Sequence, residues 1–91
     1  MADLSATATI KLDFPFDADG QAFTELTMRR PKMKDNHAIQ KMKGSDFERG
    51  VSMLARLCDV APEVIHELDE LDANKLQEQL NSFRGDSGSD A

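Results

Sequence analysis

Ninety-one residues, 40% of them apolar, make one small domain with a folded core rather than a disordered chain. There is no Trp and no Tyr, so Leu, Ile, Val, Met and Phe must build that core, and the single cysteine excludes an internal disulfide and fits a reducing cytoplasm. The net charge of −6 is uneven: residues 1–28 carry −4, residues 29–43 carry +5 and residues 63–91 carry −6, so the basic stretch is a candidate docking surface for an acidic partner.

The opening MADLSATATIKLDF has no basic segment followed by an apolar run, so no signal peptide is expected, and no run approaches the ~20 apolar residues of a membrane span. Residues 1–6 are expected to be disordered. Residues 7–14 alternate, with Ile10, Leu12 and Phe14 on one side, which predicts a half-buried strand. Residues 22–29 alternate as well and place Thr24, Leu26 and Met28 together. A three-residue loop, Ala18-Asp19-Gly20, would pair Leu12 with Leu26 and Ile10 with Met28 and give one apolar face. A two-residue loop at Asp19-Gly20 would set Leu12 opposite Thr27 and Phe14 opposite Glu25 and mix the faces, so the longer loop is preferred. The outer edge of residues 7–14 is a further candidate contact, with backbone groups open to a partner.

Pro31 ends the second strand and favours a helix after it, predicted over residues 34–43, with Met33 stapling its start and Gly44 closing it. Residues 45–58, SDFERGVSMLARLC, form the central helix. Phe47, Val51, Leu54 and Cys58 recur at steps of four, three and four, and Ser45 with Glu48 makes a capping box. This helix is the expected cover for the hairpin, which is unstable alone. Pro62 opens a short helix over residues 63–68 with Ile65 and Leu68 inward. Asp72 reads as the cap of a last helix, with Leu71 and Leu76 as its staple and Leu76, Leu80 and Phe83 as its stripe, ended by Gly85. The expected fold is therefore α+β: a two-stranded antiparallel hairpin packed on three to four short helices over residues 7–84, followed by a disordered polar tail at 85–91.

Catalytic chemistry finds little support. Cys58, His37 and His66 are scattered without metal-ligand spacing, and Cys58 reads as a small core residue. Glu67, Asp69, Glu70 and Asp72 read as caps and a solvated face. No phosphate loop and no nucleophile elbow occur, and no metal or cofactor is expected. Nucleic-acid binding through residues 29–43 is the competing reading, as part of a small regulatory or adaptor domain. Against it, no aromatic interleaves with the basic run, and the helix after the central one is acidic and would be repelled by phosphate.

The order of elements, with FTELTMRRP (residues 23–31), Asp46-Phe47 leading into SMLARL (residues 52–57) and APEVIHELDELD (residues 61–72), resembles the small tail assembly chaperones of Mu-like contractile-tailed phages and prophages. Where that family often has Thr or Ser after Arg-Pro, this chain has Lys32. The resemblance implies a non-enzymatic protein in the bacterial cytoplasm. Its partner would be the tape-measure protein and in some cases tail-tube subunits, with no nucleic acid and no membrane involved. In such families a longer, frameshifted form is often made. Arg29, Arg30 and Lys32 are the expected polar docking groups, and Met28, Met33, Met42 and Met53 the candidates for an adaptable apolar groove.

Overall fold

The computed structural model describes residues 6–85. Two antiparallel strands, β1 (Thr7–Ala18) and β2 (Gln21–Arg29), are followed by α1 (Met33–Gln40), α2 (Asp46–Cys58), α3 (Pro62–His66) and α4 (Glu70–Phe83). This is the expected α+β arrangement. The expectation of disordered ends falls, Ala6 and Gly85 apart, outside the described residues; the Ala6 carbonyl accepts from the Arg30 amide at 3.1 Å and continues the ribbon.

The hairpin register differs from the expected one. Asp19 (φ 53°) and Gly20 (φ 73°) both take the left-handed region, which makes a two-residue turn of the kind that matches strand twist. Ala18 pairs with Gln21 and Phe16 with Phe23, yet further along Lys11 pairs with Glu25, Ile10 with Leu26 and Ala8 with Met28. Residues 12–15 therefore face Thr24 alone, a bulge that shifts the ladder by three residues. An odd shift solves the problem of mixed faces. It lets Phe23 face the core near the turn and Leu26 and Met28 face it farther on, although the two groups have opposite parity in β2. Thr24, expected inward, is exposed, and Phe14 is thrown outward to 50% exposure. Pro15, which has no amide hydrogen to offer, sits in the bulge.

Both α2 and α4 pack on the ribbon, α2 against β2 and α4 against β1, so the cover is shared rather than supplied by α2 alone. The start of α2 is as its sequence requires: Ser45 Oγ accepts from the Glu48 amide at 3.1 Å and Glu48 Oε1 from the Ser45 amide at 3.0 Å. Val51, Leu54, Leu57 and Cys58 turn inward, but Phe47, in the first turn, stays 69% exposed. The helix ends with Asp59 in the left-handed region and the Val60 amide bonded back to the Ala55 carbonyl. Val64, Ile65 and Leu68 enter the core from α3 and the loop after it, and Leu76, Leu80 and Phe83 from α4.

Two further expectations at helix starts are corrected. First, α1 ends at Gln40, before Gly44, and Met33 is 81% exposed, so it staples nothing. Second, α4 begins earlier than expected: Asp69 is its cap, accepting from the Leu71 amide at 2.9 Å. That places Asp72 inside the first turn, fully buried, and leaves Leu71 exposed. Asp72 is thus neither a cap nor part of a solvated face. Its Oδ1 accepts from the Asp13 amide at 2.9 Å and its Oδ2 from the Phe14 amide at 3.0 Å. These are amides that the bulge removes from the ladder. Lys75 completes the clasp, with Nζ 3.0 Å from the Lys11 carbonyl and 2.9 Å from Asp13 Oδ2. The outer edge of β1 is therefore sealed by α4 over residues 11–14.

Cys58 lies in the core, and burial pushes its thiol up to about 11. The rise from 9.0 to about 11 leaves ~100-fold less thiolate at mildly alkaline pH. Labelling with an aromatic disulfide reagent at pH 8 is accordingly expected to be at least ~100-fold slower in the native chain than in denaturant, and equal rates would place Cys58 at the surface.

Candidate partner-binding surface

The basic segment is divided by what its members touch. Arg29 grips Asp35 with both ends of its guanidinium, Nη1 to Oδ2 at 2.8 Å and Nη2 to Oδ1 at 2.7 Å. Arg56 Nε reaches the same carboxylate at 2.6 Å, and the Lys32 amide donates to it at 2.8 Å. The Asp35 side chain is fully buried between them. The Arg29 guanidinium holds the carboxyl well below the usual range against the upward pull of burial, and Arg56 and the Lys32 amide add to the effect. This carboxylate takes the Lys32 amide, the N3 half of a capping box, while the Asp35 amide, which a Thr or Ser at position 32 would serve, bonds to the Lys32 carbonyl at 2.9 Å. Arg30 lies 5.3 Å over the Phe83 ring and donates from Nη2 to the Phe83 carbonyl at 2.9 Å. Arg29 and Arg30 therefore tie the end of β2 to α1, α2 and α4. Lys32, Lys34, Lys41 and Lys43 are the exposed part of the basic run.

The methionines divide as well. Met28 is fully enclosed and packs the core, whereas Met53, although buried, reaches the floor of a shallow stretch beside Ile39 and Leu80. Met33 stands out from α1 in solvent. Met42 is half-buried beside Lys43, Glu48, Ser52, Pro62 and His66, in a shallow depression that shares Val51 and His66 with a larger cleft.

The larger apolar opening was not anticipated. A cleft of about 400 Å³ lies between α2 and α4 and is closed at one end by α3. Phe47, Gly50, Val51 and Leu54 form one wall, Ala73, Asn74 and Gln77 the other, and Ile65, His66, Leu68 and Glu70 the closed end. The Phe47 ring overhangs it, 6.2 Å from the His66 ring. Past Gly50 and Gln77 the cleft continues into a shallower stretch of about 190 Å³ lined by Ile39, Met53, Leu80, Arg49 and Arg84. Phe47 was expected in the core because its spacing matches the buried stripe. The cue in the sequence that could have exposed the cleft is Gly50, a glycine inside a well-capped helix.

The chain is thus a small α+β domain with an open apolar cleft. Among known families the chain has a clear place. It belongs to the family of phage tail assembly chaperone proteins, E, or 41 or 14, whose model matches residues 9–85, and its role is that of a tail assembly chaperone. Neither the curated proteins nor the solved structures gave a match. Among the described residues no helix is long and apolar enough to cross a membrane.

Proposed function

We propose that this chaperone binds the tape-measure protein during tail assembly, in the cytoplasm of the host, and keeps it soluble until the tube forms around it. It acts by binding alone, and tail-tube subunits are a second partner. The observation that supports this most is the α2–α4 cleft under an aromatic ring left 69% exposed. A small folded domain gains by enclosing such a ring, and apolar surface held open in this way marks a site for a partner.

Co-expression with the tape-measure protein encoded beside it tests the proposal. The expected result is that the tape-measure protein moves into the soluble fraction and co-purifies with the chain. A tape-measure protein that stays insoluble and is not retained would overturn the reading.

A further inference from the structure

The chemistry of the occupant can be taken further, on the reading that the cleft serves the chaperone role. With α2 packed on β2 and α4 on β1, the opening between them runs along α4, from Glu70 to Arg84, and crosses α2 over residues 47–54. Along α2, Phe47, Val51 and Leu54 recur at steps of four and three and make an apolar ridge, while Gly50 makes a notch in it. A Cβ built at Gly50 meets nothing within 4 Å, and its backbone is ordinary helix. Neither packing nor conformation within this chain calls for glycine there, although glycine is a poor helix residue. What glycine provides is room for another backbone to come close. Ala73 gives the facing wall a small residue as well.

The ends of the trough differ in charge. Glu70 stands at the closed end, whereas Arg84 stands at the shallow end beside Arg49, whose guanidinium is paired with Asp46. A helix carries partial positive charge at its N-terminus and partial negative charge at its C-terminus. The two ends therefore favour one direction of a bound helix, with its N-terminus at Glu70. We infer that the α2–α4 cleft seats a single amphipathic helix of the partner, its apolar stripe against Phe47, Gly50, Leu54 and Ala73 and a Lys- or Arg-bearing N-terminal turn at Glu70. The 14 residues of α4 set the scale, about 21 Å, or roughly four turns of the guest.

Two synthetic peptides of about 15 residues test this, identical in a leucine stripe at i, i+3, i+4 and i+7 and differing only in Lys or Glu in the first turn. They are titrated into the full chain and followed by amide chemical shifts. The Lys peptide is expected to bind more tightly, with the largest shifts at Phe47, Gly50, Ala73 and Gln77. Gly50→Leu is expected to weaken it at least tenfold while melting no lower than the parent, and Phe47→Ser to weaken it as well. Glu70→Lys should reverse the preference for Lys over Glu.

Equal binding of the two peptides, shifts that map elsewhere, or parent-like affinity in Gly50→Leu would overturn the inference. So would a parent dimer that buries this cleft, because the occupant would then be a second copy. Co-purification with the tape-measure protein separates the two claims. If it survives both Gly50→Leu and Phe47→Ser, the chaperone reading stands and this seat is wrong. If the parent binds the Lys peptide but never retains the tape-measure protein, the seat stands and the partner is another helix.

Discussion

Asp72→Ala is expected to destabilise the chain by about 3 kcal/mol, because hydrogen bonds to a charged acceptor contribute about 1.5–3 kcal/mol each and this carboxylate accepts from two backbone amides. For a domain of this size that corresponds to a fall in melting temperature of roughly 12–24 °C, read by thermal and urea unfolding. Burial alone would raise the Asp72 carboxyl. The Asp13 and Phe14 amides and the Lys75 ammonium outweigh it and hold the group below the usual carboxylate range. The comparison that gives the prediction its force is Asp69→Ala. Asp69 is the true cap of α4, and its loss should cost about 1 kcal/mol. If Asp72 were only a cap, the two variants would fall together. Asp72→Asn should lie between parent and Asp72→Ala, since an amide side chain can still accept from one of the two backbone amides while its own N–H₂ opposes the other.

Asp35→Ala is expected to cost about 2 kcal/mol, less than Asp72→Ala despite the larger number of bonds. Arg29 and Arg56, at 38% and 41% exposure, regain water when their partner is removed, so little of the penalty for a stranded buried charge applies to them. What is lost is the cap of α1 and the clamp between the end of β2 and α2. The same carboxylate sets an acid limit on stability. Its folded value lies well below the ~3.9 of an unfolded aspartate, so its contribution is fully present above about pH 4 and is lost as pH falls below that. Asp72 has the same sign. Denaturant midpoints from pH 6 down to pH 2 should therefore decline steeply below about pH 4 in the parent and much less in Asp35→Asn/Asp72→Asn. Equal slopes in the two proteins would remove both carboxylates from the acid limit.

Local signals carried most of the fold. The capping box at Ser45 and Glu48, the inward stripe of Leu76, Leu80 and Phe83, and Pro62 at the start of α3 all act within a few residues of themselves and are legible for that reason. The register of the hairpin is not local. Its bulge depends on a carboxylate 59 positions away that satisfies the displaced amides, so a turn rule applied to residues 7–29 alone selects the wrong loop. Asp72 reads as a cap on a solvated face, and Asp35 gives no cue beyond its charge, because most aspartates are solvated. Their burial follows from partners, Arg29, Arg56 and the bulge amides, that are assembled only in three dimensions.

The candidate surface was less legible than the fold. The basic cluster at 29–43 reads as one patch in sequence, but Arg29 and Arg30 turn inward to Asp35 and Phe83 while the lysines stay outside. Periodicity assigned Phe47 to the core because it is in phase with Val51 and Leu54. The first turn of α2 extends beyond what α3 and α4 cover, and phase alone does not report that.

Hydrogen exchange on the chain in complex with the tape-measure protein tests the central claim most directly. The account predicts slowed exchange, relative to the free chain, along the cleft face of α2 and in the first two turns of α4, around Phe47, Gly50, Ala73 and Gln77. Protection confined to Lys32, Lys34, Lys41 and Lys43, with the cleft exchanging as in the free chain, would contradict it.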